Sequence, residues 1–555
     1  MFNQQSNEPA SQSCARLGKL DLIGAALAGI VYLSPLFLFS RIPTQDGPLH
    51  VDTAAVMFNS LGRHAPFLST FFEIRWRVET NTLGHDLLVI LFSVIRDPAR
   101  SEKAIQIIYL ALFFGGFAYF LAAVRRDSVK LITLGLPFAF SYLFHMGFLN
   151  YCLSMCGFLW CWGALLRFHQ SSSKGDLVAL TIAVLCTWLA HPVGLVAFGA
   201  GAIVFLAVRS ALQLTRKRSS GERRSPLVLG LLLVLAIPLA GEFLFLFHRG
   251  GFEQWIFLSK AELAFQLIHL TSMDSFGLTW SPVAGCVAAV LSSCLFVMAA
   301  VRIFSRAKSG ERSAKVDPRL MVVMTGFYTA VFFLAPADAA GSGLINERLM
   351  PCLFVFLVAS VAAASFPRKF DILLSVIGLA ALAALHIGNY ATYRQAEAVE
   401  KDYLFALGEV PEESVVYPIN LSSHGFDGRS YASYRTDFMA HMAAYYTVRT
   451  GGVYLNNTIA RWNEGRQIGF KDPVFLGLHD LPAAFPGNGV VPLGFEEFRE
   501  RVGHPVDYVL LTADFSAQEP LTEAYEEVLN KTFDCNHVSP LRLVKLCRSR
   551  SWTSQ

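Results

Sequence analysis

The sequence predicts a mainly α-helical fold, a polytopic transmembrane helix bundle of about eleven spans, followed by a small C-terminal extracytoplasmic α/β domain. Three observations carry this. The 555 residues are 54% hydrophobic and only 16% charged, with a mean hydropathy of +0.44, so lipid must cover much of the surface. Apolar runs long enough to cross a bilayer recur up to about residue 388, with basic clusters between them. Beyond about residue 390 the runs shorten to strand and helix lengths. A formal net charge of +4 is too mild for a nucleic-acid partner, which leaves the lipid bilayer as the expected surroundings.

A span needs about 20 apolar residues and Lys/Arg favour cytoplasmic loops, so length sets the spans and charge sets their direction. Leu20 to Ser40 follows Arg16 and Lys19 and runs outward. It is long enough to span and a polar stretch precedes it, so it reads as an anchor rather than a cleaved signal. Ala104 to Val124 ends in Arg125, Arg126 and Lys130 and returns the chain, which makes 41–103 a large external loop. Within that loop Leu83 to Ile95 is too short to cross and reads as an interfacial helix.

Further spans are expected at 130–148 outward and 150–167 inward. Residues 177–208 are too long for one helix, and basic clusters flank both ends. The run must go out and come back, with its tip at His191-Pro192, because proline disfavours a helical conformation for the residue before it. Then follow 226–247 outward, 280–304 inward, 320–336 outward, 349–366 inward and 370–388 outward. From a cytoplasmic N-terminus this count makes 1–390 the bundle and places 391–555 outside.

In the tail, Ser414 to Pro418 and Tyr508 to Thr512 read as strands, Pro520 to Asn530 as a helix and Leu541 to Cys547 as a further strand, a small α/β domain. Cys535 and Cys547 are the tail's only cysteines. They close a loop of about a dozen residues and form a disulfide if the tail is outside the cytoplasm.

Ionisable groups near membrane depth are expensive, so their collection on the external side is the main functional clue. The first loop opens with Arg41-Ile-Pro-Thr-Gln-Asp46-Gly-Pro-Leu-His50-Val-Asp52. Residues 49–61 read as a helix, with His50 in its first turn and Asp46 in the turn before it. A carboxylate there can serve as general base or hold a divalent metal, or it can merely cap the helix. Other external features are His85-Asp86, the His145 to Asn150 turn, His191, Glu242 and Glu347-Arg348, each of which alone reads as readily as a salt bridge, cap or interfacial anchor. Arg75, Arg77 and Arg348 match phosphate oxygens in geometry, with lipid headgroups as the competing partner for the first two. A phosphate-binding P-loop, a Gly-rich dinucleotide motif, zinc-spaced Cys/His and GxSxG are all missing from the sequence, which argues against ATPases, nucleotide-sugar Rossmann enzymes and serine hydrolases.

In the order of its parts the chain resembles the GT-C superfamily of integral membrane glycosyltransferases, especially bacterial members that use polyprenyl-phosphate sugars. The shared features are a first span, a long external loop opening with an acidic motif, here Gln45-Asp46-Gly47-Pro48-Leu49-His50, interfacial helices, many further spans and an external α/β tail. The resemblance implies a bacterial inner-membrane enzyme, a polyprenyl-phosphate-linked sugar as donor, and Asp46 as catalytic base or contact of a divalent metal such as magnesium or manganese. Many members carry Asp-Glu where this chain has Asp46-Gly47, so Asp52 becomes the candidate second carboxylate. His50, Asp52, Arg75, Arg77, His85, Asn150, His191, Glu347 and Arg348 are the expected substrate-binding set. A flippase or transporter of lipid-linked saccharides, and a surface-polysaccharide polymerase or ligase, are the alternatives. The first calls for paired charges at the bilayer midplane and symmetry between halves, and neither is evident.

Overall fold

A computed structural model describes residues 19–214, 255–276, 282–309, 317–339, 343–421, 435–461, 467–471, 494–515 and 520–550. The expected span 226–247, with Glu242, lies outside them.

Helix α1 (Lys19–Leu38) leads into α2 (Gly47–Asn59), α3 (Ala65–Phe71), strand β1 (Phe72–Ile74) and α4 (Leu83–Ile95) before α5 (Pro98–Val124) recrosses the bundle. Asp97 caps α5 by accepting from the Arg100 N–H. Pro98 sits in its first turn, where the missing N–H is no loss. α4 turns Gly84, His85, Leu88 and Phe92 to the protein and leaves Ile90 and Val94 exposed, the two-faced pattern of a helix lying in an interface.

The expected helix at 130–148 is corrected. The chain there forms two 3₁₀ stretches, Arg126–Leu134 and Leu136–Phe140, and the one-turn α6 (Tyr142–His145). Gly135 followed by Pro137 explains the break, since proline removes a donor and its ring clashes inside an α-helix. Helix α7 (Leu149–Ser171) is buried along most of its length against α5 and α8 (Lys174–Ala190). α8 and α9 (Pro192–Leu214) form the expected hairpin, and His191 between them is extended at φ −166°.

There follow α10 (Lys260–Ile268), α11 (Pro282–Ser309), α12 (Arg319–Leu334), the buried α13 (Ile345–Ala363) and α14 (Arg368–Tyr403). Among the described residues, six helices are long and apolar enough to cross a membrane: α5, α7, α9, α11, α13 and α14. The boundary placed at 390/391 falls inside α14, which runs unbroken for 36 residues. No glycine or proline interrupts Asn389 to Tyr403. Asn389, Tyr393, Ala396, Val399 and Tyr403 bury one face at helical spacing, so one rigid element belongs to both bundle and tail.

The tail is a five-stranded mixed sheet. β2 (Val415–Asn420) runs parallel to β3 (Val453–Tyr454) and to β5 (Tyr508–Thr512), and β7 (Val544–Ser549) runs antiparallel to β5 and β6 (Phe533–Val538). A helix, Pro520–Leu529, joins β5 to β6. A disulfide links Cys535 on β6 to Cys547 on β7, with Cα atoms 4.0 Å apart. β4 (Ile468–Phe470) leaves this sheet to pair with β1 of the first loop. The tail and the 41–103 loop therefore sit at the same end of the bundle, called the loop face below.

Candidate active site

The site begins at Arg41, the third residue past α1. Its buried guanidinium reaches Glu102 on α5 at 3.2 Å and Glu400 on α14 at 3.0 Å, and it lies over the Tyr445 ring of the tail. Glu102 also accepts from the hydroxyls of Thr44, at 2.7 Å, and Tyr445. One charged cluster thus ties the Arg41–Gly47 segment to two helices and the tail.

Two close approaches hold the next turn. Glu102 lies so near Gly47 that an added Cβ would fall 2.0 Å from its Oε1. On the other side stands Gly147, at φ +78°, where a Cβ would meet Asp46 N at 2.8 Å. Only glycine suits such a position. The Gln45 N–H donates to His145 O at 2.9 Å and the Asp46 N–H to Met146 O at 3.1 Å, so the acidic motif is pinned against the turn before α7.

Asp46 stands at the start of α2, which begins at Gly47 rather than at residue 49, with Pro48 accommodated in its first turn. The carboxylate makes no capping hydrogen bond. Its Oδ1 receives the Gln45 Nε2 donor at 3.4 Å and faces His441 Nε2 at 3.7 Å, while Gln45 Oε1 accepts the Asp437 N–H at 2.9 Å. Burial pushes the Asp46 carboxyl up to about 7, against a smaller lowering by Gln45. Burial, helped by His50, pushes the His441 imidazole down to about 4. A carboxylate that titrates near neutrality beside a neutral imidazole suits a general base.

A second pole forms around Arg348 in the first turn of α13. Its guanidinium packs over the rings of Phe148 at 4.9 Å and Tyr151 at 5.8 Å, and Nη1 lies 3.2 Å from His191 Nε2. His191 Nδ1 faces the Val193 N–H at 3.1 Å, and because a guanidinium only donates, Arg348 is the donor in its contact with His191 Nε2. The guanidinium is the cation of this pole, and an anionic oxygen beside it would accept from its N–H groups. Phe148 and Tyr151 belong to the same turn whose Met146 and Gly147 hold Asp46, so both poles rest on one platform.

Beside the Asp46 turn lies a small cavity of about 30 Å³, lined by Gly47 and His50 and by mostly apolar walls that include Leu88, Ile105, Phe144 and Leu149.

Comparison with known proteins gives a similarity in structure alone. No family model matches the chain, and no curated protein does. It is similar to two crystal structures of ArnT from Cupriavidus metallidurans. One, bound to undecaprenyl phosphate, has 12% identity and a TM-score of 0.48; the other, in the apo state, has 13% identity and a TM-score of 0.41. Each match covers 95% of this chain and 97% of that one.

Of the expected site residues, the structure gathers Asp46, His50, His191, Glu347 and Arg348 at the loop face, with His85 attached through a 2.8 Å contact between His50 Nδ1 and His85 Nε2. Asn150 has a supporting role: it donates to Asn81 O at 2.7 Å and accepts from the Gly84 N–H at 2.6 Å, tying α7 to the start of α4. Asp52, the candidate second carboxylate, is held by the tail. Its Oδ1 accepts from Thr447 and its Oδ2 from Asn457, both at 2.9 Å, and so it fastens α2 to the tail. Arg75 and Arg77 lie beside the β1–β4 ribbon, where Arg75 pairs with Glu73 at 2.5 Å and Arg77 is exposed, rather than around Arg348. Among the described residues no three His, Cys, Asp or Glu side chains converge as metal ligands, so no step is assigned to magnesium or manganese.

Sequence reasoning missed Glu102, Arg435, Asp437 and His441. Arg435 binds Glu347 at 2.5 Å, lies 3.8 Å from the Tyr142 ring centroid, and donates to the Thr271 and Asp274 carbonyls. Glu102 had a signal, a carboxylate just inside an apolar span. The three tail residues had none, because nothing local separates them from an ordinary polar loop.

Proposed function

We propose that this chain is an integral membrane glycosyltransferase that moves a sugar from a polyprenyl-phosphate donor to an acceptor on the extracytoplasmic side of a bacterial inner membrane. The observation that carries this reading is Asp46: a carboxylate left uncapped at a helix start, raised to about 7 by burial, and pinned against the same turn whose Phe148 underlies the Arg348 guanidinium.

In this reading the Asp46 carboxylate takes the proton of an acceptor hydroxyl. The acceptor oxygen bonds to the anomeric carbon from the face opposite the phosphate, and the bond from that carbon to the phosphate oxygen breaks. Its electron pair leaves on the phosphate, where the Arg348 guanidinium, in contact with His191, meets the developing charge. Attack from the opposite face inverts the anomeric centre.

The test is the lipid-linked sugar pool of cells with and without the gene. Cells that lack it should accumulate one polyprenyl-phosphate sugar and lose one glycosylated product. Identical pools in both strains would contradict the reading.

A further inference from the structure

A buried carboxylate oxygen that nothing donates to is expensive, so each instance asks what donor it serves. Glu347 provides one. Its side chain is 4% exposed, and Arg435 Nη2 holds Oε1 at 2.5 Å. The other oxygen, Oε2, is buried and has no hydrogen-bond partner among the described residues.

The neighbours of this oxygen define its place. Glu347 precedes Arg348, whose guanidinium, in contact with His191, is the cation of the anion site. Arg435, which holds Glu347, lies 3.8 Å from the ring centroid of Tyr142, at the start of the one-turn helix whose last residue, His145, and the following Met146 accept the Gln45 and Asp46 N–H groups, so the orphan oxygen stands at the same end of the bundle as the base. With a phosphate at Arg348 and an acceptor hydroxyl at Asp46, the body that must stand among them is the sugar. A phosphate dianion offers no donors and an isoprenoid chain offers none, whereas a sugar is rich in hydroxyl donors.

We infer that Glu347 reads the transferred sugar: its Oε2 accepts a hydrogen bond from a hydroxyl of the sugar carried on the donor phosphate. This rests on the glycosyl-transfer reading above. Arg435 acts through Glu347 as a positioning residue, fixing the carboxylate so that one oxygen is held and the other is presented. The tail thereby shares in choosing the donor sugar.

The experiment is equilibrium binding to the full-length protein in lipid nanodiscs with no acceptor present. The probes are a polyprenyl phosphate and the same lipid carrying glucose, mannose or galactose on its phosphate. Wild type should bind one hexosyl lipid more tightly than the bare lipid, and Glu347→Gln should reduce that preference about tenfold to a hundredfold while binding the bare lipid as wild type does, the size expected for a hydrogen bond to a charged group. A preference that survives Glu347→Gln intact overturns the inference, and so does a wild type with no preference among the lipids. Should the variant not fold, a wild-type series with monodeoxy sugars replaces it: one missing hydroxyl must abolish the preference, and a series without such a position overturns the inference. Failure of wild type to bind even the bare polyprenyl phosphate sinks the parent reading instead. Because no acceptor is present, a hydroxyl contact belonging to the acceptor would leave donor binding unchanged in Glu347→Gln and would count against the inference.

Discussion

The two sides of the site are written into the chain in different ways. The first loop supplies Gln45, Asp46 and His50 within six residues directly after a span, in a stretch whose glycine and proline announce a turn. The tail supplies Arg435, Asp437 and His441, and the hydrogen bond from the Asp437 N–H to Gln45 crosses 392 residues of sequence. The loop side is held by backbone pairing and two glycine contacts, the tail side by charge and side-chain hydrogen bonds. Sequence reading finds a site residue when chain connectivity alone puts it near the membrane surface. It misses one that is delivered by folding of a distant domain.

The loop side is the more rigid, and the largest expected effect falls there. Gly147→Ala adds a Cβ that cannot coexist with the Asp46 backbone at φ +78°, and a displacement of about 1 Å at a reacting group costs on the order of 100-fold in rate. Gly62→Ala, which meets only Asn59 O at 3.7 Å, is the control and should leave transfer unchanged. Equal rates in the two variants would mean that the close contact does not position Asp46.

Acid should act through the same residue. An Asp46 carboxyl titrating at about 7 is ionised above that pH and protonated below it. A base must be ionised to work, so the transfer rate should drop roughly tenfold per pH unit below 7 and level off above it. A rate that holds constant down to pH 5 would remove Asp46 from the base role.

The tail side should show coupling rather than a single dominant loss. Arg435→Met leaves Glu347 buried beside a lost partner, and combining it with Glu347→Gln should recover part of the stability. The coupling is expected at about 0.5–3 kcal/mol, the range for residues in direct contact. Additive losses would show that the ion pair does not join tail to bundle.

The smallest effect on catalysis should come from the tail's sheet edge. Cys535→Ser opens the Cys535–Cys547 bond, which should lower tail stability by on the order of 3 kcal/mol in the chain-entropy view, with transfer at permissive temperature intact. Loss of transfer without loss of tail stability would tie β6 to the site, against its place at the edge of the sheet.

Much of the fold was legible because bilayer thickness and helix period dictate run lengths. The short helix at Leu83–Ile95, the break at His191 and strand Tyr508–Thr512 all stand where the sequence put them. Two features resisted. Residues 130–148 are apolar enough for a span, but up to Phe140 they wind as 3₁₀ turns around Gly135 and Pro137, and hydropathy does not see that difference. α14 continues past its apolar stretch because its polar half still carries an apolar stripe, a tertiary contact invisible to a window average. Within the site, the role of Asp52 was hidden for a related reason: a carboxylate six residues beyond Asp46 gives no local sign that Thr447 and Asn457, nearly 400 residues on, donate to both of its oxygens.

The most direct measurement is transfer by Asp46→Asn. The amide keeps the size of the side chain and the Gln45 neighbourhood but cannot take a proton, so a folded, membrane-inserted variant should transfer sugar about 100-fold to 10,000-fold more slowly than wild type. A variant that is folded, carries the substitution and still transfers at the wild-type rate would contradict Asp46 as the base, and with it the mechanism built around the loop face.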